Sequence, residues 1–240
     1  MAESDATPGS RPVVRADLVA LTRYHSPQVE VEVRLNTNEA AEPPPAGFTA
    51  DLAAAVREIR LNRYPDRGAD GLRRALADRY GLSSDWVYVA NGSNEILQNL
   101  LLAYGGQGRT VAVFEPTYMM YSQIARSTGT RVVSGVRGPD FRLDEAAVGR
   151  LVEAERPEVV ILCSPNNPTG ILDPAGLVSA TLEMLAPHGG LLVVDEAYGQ
   201  FAPTSATDLL DVGRSLVVSR TFSKTWAMAG LRLGYLLGPP

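Results

Sequence analysis

The chain has 240 residues, 45% of them hydrophobic and 20% charged, with a net charge of −5, which fits one large globular domain, or one domain with an appendage, better than two full domains. That balance and a pI near 5.2 argue against a nucleic-acid surface, and no apolar run approaches the roughly 20 residues that cross a bilayer. The single cysteine excludes an internal disulfide and points to a reducing cytoplasm, while two histidines outside any ligand spacing argue against a zinc hydrolase or a Ser-His-Asp triad.

Residues 1 to about 15 read as an unstructured lead without the basic and apolar regions of a signal peptide. Arg15 to Tyr24 suits a short helix ending before Ser26-Pro27, because a residue ahead of proline is pushed away from helical geometry. Val29 to Leu35 alternates apolar and charged side chains, the period of a half-exposed strand. Pro43, Pro44 and Pro45 then forbid a helix. Residues 1–45 are therefore expected to form an arm and part of a small domain, and residues 46–240 a larger one. Leu52–Ile59 and Ala69–Tyr80 read as helices around a turn at Leu61–Asp66, the second amphipathic through Leu72, Leu76 and Tyr80. Beyond Trp86, strands are expected at Val87–Ala90, Thr110–Phe114, Arg131–Ser134, Val159–Cys163, Leu191–Val194 and Ser215–Ser219. Helices alternate with them at Ser93–Tyr104, Tyr118–Ser127, Asp144–Ala154 and Asp173–Leu185. This order predicts an α/β fold, a mostly parallel sheet with helices on both faces. Such sheets bind ligands beyond the carboxyl ends of their strands.

Lys224 is the only lysine; the rest of the 22 basic residues are arginine. Lysine can lose its proton and attack a carbonyl, which arginine cannot. Hydroxyls at Thr221 and Ser223 precede it and Arg232 follows, a set suited to holding a phosphate beside a reactive amine. A phosphorylated aldehyde matches that set, and pyridoxal 5'-phosphate (PLP) is the candidate. Asn91-Gly92-Ser93-Asn94 joins a strand to a helix whose first N–H groups suit a phosphate, although Asn and Ser there also serve as plain caps. Tyr118 can lie flat on a pyridine ring or fill a core. Between Ser164 and Gly170 two prolines and a glycine make a rigid loop that aims an amide side chain. Asp195 ends an apolar strand, where its carboxylate can keep a pyridine nitrogen protonated or cap the next turn. Tyr198 can reach the ring's phenolic oxygen, Glu196 points elsewhere, and Cys163 reads as a packed, inert thiol.

Six segments carry a resemblance when taken together: Asn36 to Glu39, Asn62 to Asp66, Asn91 to Glu95, Ser164 to Gly170, Val194 to Tyr198, and Ser223 through Arg232. From about residue 16 onward the chain resembles the histidinol-phosphate aminotransferases, a family among the fold-type I PLP-dependent aminotransferases. The resemblance implies transamination between the histidinol phosphate/imidazole acetol phosphate couple and the glutamate/2-oxoglutarate couple, in histidine biosynthesis. It implies that Lys224 bonds the cofactor aldehyde and that Asp195 pairs with the ring nitrogen. Asn167 and Tyr198 would contact the ring oxygen, and Tyr118 would stack on the ring. Ser93, Asn94, Ser223 and Arg232 would hold the phosphate, joined by Tyr64 of the neighbouring subunit in a homodimer. Tyr24 and Asn36 would lie on the substrate side. Two departures stand out: Asn38-Glu39-Ala40-Ala41 replaces the family's Asn-Glu-Asn-Pro, and the chain ends at Pro240 where the family continues into a small C-terminal domain, expected to be absent here. An aminotransferase for aromatic or other amino acids, a phospho-amino-acid decarboxylase, and a non-catalytic PLP-binding or dimerisation module remain alternatives.

Overall fold

The computed structural model describes residues 12–19, 21, 27, 29–174 and 176–240. Among them seven strands make one sheet: β1 (Val87–Ala90), β2 (Thr110–Glu115), β3 (Arg131–Val136), β4 (Val159–Cys163), β5 (Leu191–Asp195), β6 (Leu216–Thr221) and β7 (Gly234–Leu237). Their spatial order is β1-β7-β6-β5-β4-β2-β3. Neighbours from β6 to β3 pair in parallel, and β7 runs antiparallel between β1 and β6. The helices are α1 (Ala46–Glu58), α2 (Asp70–Tyr80), α3 (Ser93–Tyr104), α4 (Met120–Ser127), α5 (Glu145–Glu155) and α6 (Leu177–Leu185). Among the described residues no helix is long and apolar enough to cross a membrane.

Strand pleating divides the core into two layers, because successive side chains leave opposite faces. Val159, Ile161 and Cys163 of β4 and Leu191 and Val193 of β5 pack with α3 and α4 through Ile96, Leu97, Leu101, Tyr121 and Ile124. The intervening Val160, Leu162, Leu192 and Val194 pack with α2, α5 and α6 through Leu76, Val148, Val152, Leu177 and Leu185. The central strands are wholly buried, as expected for a parallel sheet covered on both faces.

Several expected elements differ. Val29–Leu35 forms no strand, and Val31, Val33 and Leu35 are exposed; alternation alone makes no strand where no sheet edge pairs with it. Within the Arg15–Tyr24 stretch the described residues hold one short turn of 3₁₀ helix, Ala16–Leu18, and the remainder, Tyr24 included, lies outside the described residues. α1 begins at Ala46, ahead of the expected Leu52, because Pro45 stands just outside the first turn, where its missing N–H costs nothing. α6 starts at Leu177 rather than Asp173. Asp173 instead turns inward to the buried Arg137, with contacts of 2.6 and 3.1 Å. β7 has no counterpart among the expected strands.

Candidate active site

The carboxyl ends of β4, β5 and β6 and the amino end of α3 surround a cavity of about 780 Å³. It is lined by Ser93, Asn94, Tyr118, Asn167, Asp195, Tyr198, Ser223, Lys224 and Arg232, and on its outer side by Asn36 to Glu39 of the arm. Ten sequence-predicted residues thus meet in one place although they span almost 200 positions. Tyr64 is not among them: it stands 90% exposed on the surface. Tyr24 lies outside the described residues.

One end of the cavity gathers hydrogen-bond donors. The first N–H groups of α3 have no partner inside the helix and carry the positive end of its dipole. Glu95 turns back to accept from the Asn91 N–H, which leaves the turn at Gly92 to meet Arg232. A Cβ added to Gly92 would fall 2.7 Å from Nη2 of Arg232, and Gly92 has φ +88°, so glycine is required for space and for backbone. Arg232 itself is left-handed, φ 53°, and donates to Ser223 Oγ at 3.4 Å and to the Ala229 carbonyl at 3.3 Å. Thr221 donates to Ser223 Oγ at 3.0 Å and accepts from the Ser223 N–H at 3.1 Å, so the Thr221 hydroxyl fixes the Ser223 side chain.

Asp195 sits on the α3/α4 face of the sheet and is 2% exposed. Its Oδ1 accepts from the Ala197 N–H at 3.1 Å and its Oδ2 from the Tyr121 hydroxyl at 2.8 Å. Burial raises its pKa to about 6 against these two bonds, which lower it. Glu196, one residue on, leaves the opposite face to pair with the buried Arg220 and to accept from Ser205 and the Ala206 N–H. Cys163 is buried, and burial pushes its thiol up to about 12; a protonated, packed sulfur matches the inert role read from the sequence. Its Sγ accepts from the Asn167 N–H at 3.4 Å.

The loop after β4 divides its two asparagines. Asn166 is buried and donates to the Pro116 carbonyl and Thr169 Oγ1 while accepting from Thr117, which locks the loop. Asn167 lines the cavity. Tyr118 meets Tyr121 edge to face, centroids 5.4 Å apart, and its hydroxyl lies 3.4 Å from Asn94 Oδ1.

Lys224 is half-buried and donates to the Thr37 carbonyl at 2.7 Å. Its pKa is lowered, chiefly by burial; Arg232 lowers it further and Glu39 opposes. The ammonium lies 5.9 Å from the Tyr198 ring centroid. Burial raises the Tyr198 phenol, and Asn38 Nδ2 donates to its oxygen at 2.9 Å. Asn36 donates to the Pro27 carbonyl at 2.8 Å. Sequence reading missed Tyr121, Thr117 and Met119 as cavity residues. The first lies three residues after Tyr118, whose carbonyl accepts from its N–H at 3.1 Å, and that spacing was the only signal. Among the described residues no group of His, Cys, Asp and Glu is placed to hold a metal.

Comparison with known proteins agrees with this architecture. The chain is 46% identical over 240 residues to a histidinol-phosphate aminotransferase of Frankia casuarinae, covering 95% of this chain and 60% of that one. It is 47% identical over 234 residues to one of Thermobifida fusca, covering 95% and 63%. The chain thus spans about three fifths of the length of these curated relatives. The structure superposes with a TM-score of 0.84 and 26% identity on a histidinol-phosphate aminotransferase of Sinorhizobium meliloti in complex with pyridoxal-5'-phosphate, over 100% of this chain and 64% of that one. The model of the aminotransferase class I and II family matches residues 31–240, and the chain belongs to that family.

Proposed function

We propose that this chain is the cofactor-binding part of a PLP-dependent aminotransferase that exchanges an amino group between histidinol phosphate and 2-oxoglutarate. The observation that carries it is the meeting of the sole lysine, a buried carboxylate and an anion cradle in one cavity. The relatives' shared activity supports the choice of substrate pair. The residues fit the cofactor: the space beside Gly92 that a Cβ would fill is bounded by Arg232 and α3, the right chemistry for a phosphate. Bound there, PLP would supply an aldehyde for capturing amines and a ring that withdraws electrons from the captured carbon.

The chain's own residues have separate tasks. Arg232, Ser223 and the α3 N–H groups would hold the phosphate, and Asp195 would accept from the protonated ring nitrogen. Asn167 and Tyr198 meet the ring hydroxyl, and Tyr118 covers one ring face. Lys224 Nζ, with its pKa lowered by burial, would be the group that takes and holds the proton from the donor's α-carbon. Asn36 and its neighbours close the substrate side. Tyr64, exposed and outside its own chain's cavity, serves the phosphate of a second copy in a homodimer, and the single cysteine suits the cytoplasm.

The test is glutamate formation by the PLP-loaded chain from histidinol phosphate and 2-oxoglutarate, run beside a panel of other amino donors. Turnover with histidinol phosphate is expected. Turnover with phenylalanine and none with histidinol phosphate would replace the substrate, and no turnover with any donor would leave only a binding module.

A further inference from the structure

Asp195 can serve a ring nitrogen only while it is ionised and turned toward the cavity, and both conditions are set behind it. The Tyr121 side chain is fully buried at the start of α4. Its hydroxyl donates to Asp195 Oδ2 at 2.8 Å, a bond joining residues 74 positions apart. With the Ala197 N–H on Oδ1, each carboxylate oxygen has one donor and its plane is fixed from both sides. A buried carboxylate without such donors takes up a proton. We propose that Tyr121 is a positioning residue for Asp195: its hydroxyl turns the carboxylate toward the cavity and keeps it an acceptor for a protonated ring nitrogen. The inference rests on the PLP reading above.

The other groups facing this carboxylate do not replace Tyr121. Cys163, at the end of β4, is a protonated thiol that also neighbours the Tyr121 hydroxyl, and it bonds to the Pro165 carbonyl and the Asn167 N–H. Tyr198 accepts from Asn38, and Lys224 donates to the Thr37 carbonyl across the cavity. Glu196 adds a negative charge from the next residue and is paired with Arg220 on the far face. Tyr121 is the side-chain donor to Asp195 among the described residues.

The experiment titrates the Asp195 carboxyl in the unloaded chain by NMR with isotope-labelled aspartate, the signal being assigned through Asp195→Asn. Tyr121→Phe removes one hydroxyl and keeps the ring, so the fold survives; its midpoint should rise by about one pH unit, the size expected for losing a bond to a buried charge. An unchanged midpoint overturns the proposal. Should the variant fail to fold, a fluorinated tyrosine built into the unaltered sequence makes the phenol a stronger donor. The midpoint must then fall, and constancy overturns the proposal again. PLP uptake by the same samples separates the two readings: uptake by the wild type with an unmoved midpoint defeats the Tyr121 role alone. A wild type that never takes up PLP defeats the cofactor reading on which this one rests.

Discussion

Lys224 and Asp195 line the same cavity, and one electrostatic cause shifts them in opposite directions. Burial disfavours charge in both, lowering the amine and raising the carboxyl. If Lys224 bonds the cofactor, borohydride reduction followed by mass spectrometry should find the cofactor's mass on the peptide holding Lys224, and Lys224→Ala should abolish it. Cofactor mass on any other residue would refute the assignment. Asp195 has a stability consequence as well. Its folded pKa of about 6 stands above the usual carboxylate value, so the native state binds the proton more tightly than the unfolded chain. Stability therefore falls as pH rises toward about 6, and the cost of the buried charge is complete above it. Asp195→Asn should stabilise the unloaded chain by about 3 kcal/mol near neutral pH, from the size of that shift. The gain should shrink at about pH 5 and vanish below about pH 4. Denaturant melts of the two proteins at these pH values check the sign; a gain that does not depend on pH would contradict it. Asp195, Lys224, Ser223 and Arg232 were legible as residues because each is a chemically distinctive type next to a strand end. Tyr121 was not, because a tyrosine on an amphipathic helix looks like core until its hydroxyl is given a partner.

The joint between β7 and α3 supports the proposed anion cradle. Gly234 opens β7, pairing with Ala90 of β1 and Thr221 of β6, and a Cβ there would lie 2.6 Å from Gly92 C and Ser93 N. Those are backbone atoms at the start of α3, with no flexible side chain to move aside. Gly234→Ala should therefore push α3 away from β7 and destabilise the fold by about 1–3 kcal/mol, as overpacking does. It should also weaken PLP uptake. Urea melts and a binding titration measure the two effects, and a variant with native stability would show that the joint is looser than its geometry. Pleat parity explains a second feature of this scale. Asp195 and Glu196 are neighbours in sequence, yet one faces α3 and α4 and the other pairs with Arg220 behind the sheet. Alternation along β5 makes this readable from the sequence once the strand's end is known. The strand β7 was not readable: Gly-Tyr-Leu-Leu is short, lacks alternation and is a strand because β1 and β6 flank it.

At the scale of the whole molecule, α1 stays outside the two-layered core, and the arm meets the body at the cavity through Asn36 to Glu39. α1 buries no residue, and Val56, Ile59, Leu61 and Tyr64 are exposed with Val29, Val31, Val33 and Leu35 of the arm. Exposed apolar side chains on both segments suit an interaction surface, and the proposed second copy of the chain is the partner that would cover them. Sedimentation should find a dimer. If sites are shared, a heterodimer of Tyr64→Ala with Lys224→Ala has one site with native Lys224 and the partner's Tyr64, so mixing the two variants should restore wild-type PLP affinity to that site. Failure of restoration in a verified heterodimer would confine Tyr64 to its own chain. The sequence alone determined the α/β class, nearly every strand and helix of the body, and the residue types of the site, since period and chemical identity are local properties. The tertiary structure decided the path of the arm, the place of β7, the Tyr121 bond to Asp195 and the fit of Gly92 against Arg232. Each of these depends on contact between segments far apart in the chain, and no local pattern of side chains encodes which distant neighbour will be met.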